Sequence, residues 1–176
     1  SRPEPIPARV VLPSTTDVAA LAHALNNKVD TAALVELLQH RPALLFNLLR
    51  MAQSQDLQAR VPYLSLPELV QAYPAAHLKA WETMLQAVAA KMPQLPQIQH
   101  CEKLYPRLSA ELSSQAQVLW PDVPAANLQL VAGALLLGHI LGMEVEQAAS
   151  QLLPSTLAQS VRLLAPQWES MLSALA

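Results

Sequence analysis

The chain has 176 residues, enough for one domain with a substantial core or for two small helical lobes sharing one. Apolar residues make up 52% and charged residues 14%, which excludes disorder, and a formal net charge of −2 gives no general attraction for nucleic acid or anionic lipid. A single cysteine, Cys101, excludes a disulfide framework and suggests a reducing, cytoplasmic setting. The opening stretch, SRPEPIPARVVLPSTT, is proline-rich and lacks the apolar segment of a secretion signal. Residues 1–16 therefore read as a linker or extended arm, and a start on Ser1 suggests a piece of a longer protein. The most apolar run, Leu130 to Leu141, is too short to span a bilayer, so no membrane partner is expected.

The rest reads as helices punctuated by proline. Fifteen prolines are spread along the chain, and all three glycines (Gly133, Gly138, Gly142) fall in one segment. No stretch alternates with the period of two that marks a half-buried strand. Asp17 is placed to cap a helix running to about Asn26, and Thr31 another to about Gln39. Pro42 suits the first turn of the next helix, where its missing N–H costs nothing. Ser65 precedes a short helix with Pro67 in its first turn. Over residues 75–92, Leu78, Trp81, Met84, Leu85, Val88 and Met92 form an apolar face, with Lys79, Glu82 and Gln86 opposite. The sequence MPQLPQ (92–97) is the best internal break in a single domain over 17–176. A long helix through Cys101, Leu104, Leu108, Leu112 and Leu119 is expected next, kinked at Pro106. Residues 125–142 have almost no polar face, which predicts a central helix that Gly133 and Gly138 let neighbours approach and Gly142 ends. Two shorter helices, about 155–164 and 166–175, close the chain.

Several segments together resemble the HDOD (HD-related output domain) family of bacterial signalling proteins. LVELLQHRPALLFNLLRMAQS resembles its paired helices ending in a "DPaL…LLRlaNS" pattern, with Arg41 in place of the usual Asp. SLPELVQAYPAAHLKAWETML is similar to the element that follows, with Tyr73-Pro74 replacing a Leu-Gly turn. HCEKLYPRL resembles a "CE.LA" helix. LVAGALLLGHILGMEVEQAASQLLPSTLAQSVRLL resembles the end of HDOD domains that follow an EAL phosphodiesterase-like domain. The ordered set covers about residues 17–170. It implies a compact, all-α, multi-helix domain related to metal-dependent HD phosphohydrolases but without their ligands, acting through protein contacts in cyclic-di-GMP or two-component signalling. Its partners would be signalling proteins or an attached EAL, GGDEF or receiver domain outside this chain.

The chemistry-bearing residues point the same way. A dinuclear HD site needs an adjacent His-Asp pair, and the chain has none. His139 is followed by Ile140 and reads as a core or helix-packing histidine, His77 as structural, and Cys101 as a small core residue. His100 and Cys101 project about 100° apart on a helix and do not chelate jointly. No glycine-rich phosphate loop or nucleophile elbow is present. The expectation is a non-enzyme with no metal or cofactor. A residual phosphohydrolase built from His77, His100, His139 and distant acids is the alternative, as is a nucleotide sensor using Arg41, Arg50 and Arg60 as anion contacts. On a helix from Pro42, Asn47, Arg50 and Ser54 fall at spacings of three and four, one polar stripe on an apolar helix. The stripe is a candidate structural or interaction surface, with the Arg50 guanidinium expected on a carboxylate or helix-end carbonyls.

Overall fold

A computed structural model describes residues 13–54 and 62–175. They form eleven α-helices and, among the described residues, no strand. These are α1 (Thr15–Asn26), α2 (Thr31–Gln39), α3 (Pro42–Gln53), α4 (Leu66–Ala72), α5 (Ala75–Ala89), α6 (Pro96–Cys101), α7 (Tyr105–Leu119), α8 (Ala125–Ile140), α9 (Val145–Leu152), α10 (Ser155–Leu163) and α11 (Ala165–Ala174). The all-α expectation holds. Residues 1–12 of the expected N-terminal arm lie outside the described residues, and α1 begins two residues before Asp17.

Helix starts follow side-chain chemistry. Ser14, not Asp17, caps α1: its hydroxyl accepts the Asp17 N–H at 3.1 Å, and the Asp17 carboxylate accepts the Ser14 N–H at 3.3 Å. This capping box uses the residues at N-cap and N3. Asp30 rather than Thr31 caps α2, accepting the Ala33 N–H at 2.8 Å. Ser65 caps α4, and Pro42 and Pro67 sit in the first turns of their helices.

Helix α8 is the axis of the fold. Every residue from Leu130 to Gly138 is buried, and α3, α4, α6, α7 and α9 all pack against it. Its two glycines mark close crossings. A Cβ on Gly138 would overlap the Ala148 side chain of α9, and one on Gly133 would stand 3.0 Å from the Tyr105 hydroxyl of α7. Gly142, at φ 80°, ends the helix: the Met143 N–H donates to the Gly138 carbonyl at 2.8 Å and the Gly142 N–H to the His139 carbonyl at 3.1 Å. This six-to-one and five-to-two pair of bonds requires a left-handed residue, which glycine supplies without a Cβ penalty. The chain then turns by 118° into α9.

Two expectations are corrected. The buried stripe of α5 is Leu78, Trp81, Glu82, Leu85 and Ala89, spaced as one helical face and covered in part by α1. Met84 lies about 115° from the centre of that stripe, and Met92 lies beyond the helix end; both are exposed. Glu82, read as an outer residue, is 2% exposed, with the Lys79 ammonium 3.2 Å away and the Thr83 hydroxyl donating at 3.4 Å. The long helix through Cys101 to Leu119 is two helices, α6 and α7. Pro106 belongs to the first turn of α7, so it restarts a helix rather than kinking one. Leu112 is fully buried, whereas Leu104 and Leu119 are exposed.

Candidate functional site

Helix α3 has Ala43 to Phe46, Leu48 and Leu49 essentially inaccessible to water. That leaves Asn47, Arg50 and Ser54 as its polar edge, and they are drawn in different directions. The Asn47 amide donates to the Ala43 carbonyl at 2.8 Å, and the Ser54 hydroxyl donates to the Met51 carbonyl at 2.7 Å. Arg50, half-buried, reaches across to α9, where its Nη1 donates to Gln151 Oε1 at 3.5 Å. Its partner is a neutral amide at the long limit of hydrogen bonding, in place of the expected carboxylate or helix-end carbonyl.

The strongest electrostatic arrangement starts one residue before α3. Arg41 occupies the N-cap position of α3, where it makes no side-chain cap. Its Nη1 donates to the Asp17 carboxylate at 2.8 Å, and Asp17 is 1% exposed. Glu102, half-buried just after α6, stands close enough to Asp17 for the two carboxyl groups to share a hydrogen. Burial pushes the Glu102 carboxyl up, the Asp17 charge and hydrogen bond push it further, and Arg41 pulls it back. The cluster ties the start of α1, the α2–α3 corner and the α6–α7 turn through groups 24 and more residues apart. Asp17 and Glu102 were not singled out as site residues. The only local signal is the Ser14-x-x-Asp17 capping box, which predicts a helix start and says nothing of Arg41.

A second polar group joins α3 to α5. Gln53 donates to the Tyr63 hydroxyl at 2.8 Å. Burial pushes the Tyr63 phenol up, Gln53 opposes it, and nearby Tyr73 adds to the rise. The Tyr73 hydroxyl is buried without a hydrogen-bond partner, and burial pushes its pKa up to about 12. Its ring stacks on His77, centroids 5.3 Å apart.

The histidines named for a residual metal site are dispersed among these elements. His77 is half-buried against Tyr73, and His100 is exposed at the end of α6. His139, expected in the core, is exposed: it follows Gly138 by about 100° and so turns away from the α9 crossing. Among the described residues, no three His, Cys, Asp or Glu side chains are grouped to hold a metal ion. Cys101 is half-buried and unbridged. Of the three arginines named as anion contacts, Arg41 is engaged by Asp17, Arg50 reaches Gln151, and Arg60 lies outside the described residues. Among the described residues no single helix is long and apolar enough to cross a membrane.

Nothing among protein families, curated proteins or solved structures matches the chain.

Proposed function

We propose that this chain is a non-catalytic output or regulatory module of HDOD type, working through protein–protein contacts in bacterial cyclic-di-GMP or two-component signalling in the cytoplasm. The ordered sequence resemblance supplies the family, and one structural observation supports the mode of action. Val118, at the end of α7, and Leu163, at the end of α10, are 80% and 83% exposed, the most exposed large apolar side chains among the described residues. Both helices pack against α11, whose Trp168 also meets Trp120 just beyond α7 with the rings tilted by 35°. Each exposed aliphatic side chain gains about 1.5–3 kcal/mol when a partner covers it fully, which favours docking and costs the isolated domain solubility. The residual metal site of the alternative reading would need His77, His100 and His139 together, and among the described residues they are not grouped to hold a metal ion.

The test compares the chain with a Val118→Asp/Leu163→Asp variant, both positions being too exposed to perturb the fold. Crosslinking in bacterial cells that encode EAL, GGDEF and receiver proteins should capture signalling proteins with the parent chain and lose them with the variant, at unchanged circular dichroism. Equal capture by the two chains would sink the docking surface. One or more Mn, Fe, Ni or Zn per chain, together with phosphoesterase turnover, would replace the reading with an enzyme.

A further inference from the structure

A cleft of about 370 Å³ opens between the end of α2, the starts of α4 and α7, and the first half of α8. Its base is Tyr105, fully buried, with the hydroxyl donating to the Gly133 carbonyl at 3.0 Å, so the floor is already satisfied. The walls are different. Gln39, Ser113, Ser114 and Gln129 line the cleft, and among the described residues none of their side chains makes a hydrogen bond. Ser113, the most enclosed of the four, is 9% exposed as a residue. His40, at the rim, binds the Glu36 carbonyl through Nδ1 at 2.8 Å, which leaves Nε2 toward incoming groups.

Among the described residues, no Asp, Glu, Lys or Arg lines the cleft. Helices α4 and α7 both bring a first turn to it, yet each places a proline there, Pro67 and Pro106, and a proline has no N–H to offer a phosphate. The remaining lining is apolar, with Leu45, Leu66 and Leu130 beneath the polar walls. The volume is at the small end of ligand pockets, which run from about 300 to 1,000 Å³. It suits one base with its sugar and is too small for a dinucleotide.

We propose that this cleft binds an uncharged, nucleoside-sized molecule, held by the Gln39 and Gln129 amides and the Ser113 and Ser114 hydroxyls. Each glutamine amide presents a donor beside an acceptor, the pattern that reads the edge of a purine or pyrimidine in two bonds. The serine hydroxyls complement sugar hydroxyls, and the leucines take the flat apolar face of the base. Such a site goes beyond protein docking. Val118 follows Ser114 by one turn of α7, so the two surfaces adjoin, but they share no residue and are removed by different substitutions.

The experiment is saturation-transfer NMR of the chain with adenosine, guanosine, cytidine and uridine, each beside its 5′-monophosphate. At least one nucleoside should bind saturably below about 1 mM, and its monophosphate should bind about tenfold or more weakly, since each tenfold is about 1.4 kcal/mol and an unpaired phosphate exceeds that. Gln39→Leu/Gln129→Leu, both at the rim of the cleft, should keep the circular dichroism and weaken the nucleoside by about tenfold. No saturable nucleoside binding up to about 5 mM would overturn the proposal. So would a monophosphate that binds as tightly as its nucleoside, or a double variant that binds as well as the parent.

Discussion

The crossing of α8 over α9 and the junction of Asp17, Arg41 and Glu102 both hold distant parts of the chain together, by opposite means. At the crossing, Gly138 lies against Ala148 with no room for a further carbon. Cohesion there is shape alone: buried, apolar, and indifferent to pH or salt. At the junction a buried carboxylate meets a guanidinium at 2.8 Å, with a second carboxyl beside it. A close-packed crossing fails when atoms are added, because interiors pack as densely as organic crystals. A charged junction fails when atoms are taken away, because the remaining partner stays buried without compensation.

Gly138→Leu breaks the first region most severely. Overpacking costs about 1–3 kcal/mol in general, and overlap beginning at Cβ puts this substitution at about 3 kcal/mol. Thermal unfolding should fall by about 2–4 °C for each kcal/mol in a chain of this size. A melting curve within about 2 °C of the parent would show that α8 and α9 slide apart freely. Arg41→Ala probes the second region by deletion. It leaves Asp17 buried and unpaired, which costs about 1–3 kcal/mol. Asp17→Asn in the same background should restore part of that loss, since the amide carries no charge to strand. If Arg41→Ala and the double variant melt alike, the ion pair contributes nothing and the Ser14 capping box alone holds Asp17.

The two regions also differ in how far the sequence discloses them. The central helix, its closely approached glycines and its stop at Gly142 follow from an unbroken apolar run containing all three glycines, because composition and one-residue geometry suffice. Pro42 and Ser65 are legible for the same reason, since caps and first turns are local. The junction is not local. Arg41 stands at an N-cap position, where a short polar residue is usual, and nothing within ten residues says that its guanidinium meets Asp17. Glu82 shows the same limit. A carboxylate among apolar neighbours looks like an outward residue, and only the placement of α1 across α5 turns it inward. The break at residues 102–104 was hidden because Leu104, Leu108 and Leu112 keep a helical spacing through it, while Leu104 in fact faces solvent.

Arg50 is an intermediate case, a charged residue on a well-buried helix with, among the described residues, a single long bond to a neutral amide. Arg50→Ala should cost under about 1 kcal/mol, less than Arg41→Ala, because no buried charge is left behind. An equal or larger loss would mean that the guanidinium has a stronger role in the fold than its contact with Gln151. An unchanged melting curve with lost partner capture would make the Asn47, Arg50 and Ser54 edge part of the docking surface.

The smallest effect is also the one that separates the regions by pH. Glu102 is held above the ordinary carboxylate range by burial first and by Asp17 second, with Arg41 opposing. A raised acid contributes stability while protonated, so its contribution is complete below the ordinary carboxylate value of about 4.3 and is lost as pH rises through the raised value. Once ionised, Glu102 therefore works against the fold, beside a carboxylate that Arg41 already satisfies. Glu102→Gln keeps a donor toward Asp17 without the charge. It should melt slightly higher than the parent at pH 7, by no more than about 2 °C because Glu102 is only partly buried. That advantage should shrink as the pH falls toward 4, where Glu102 takes up its proton and becomes neutral like the glutamine. A stabilisation that grew toward acid pH would mean that Glu102 is a paired carboxylate favouring the fold, and the junction would have to be redrawn with Arg41 serving both acids.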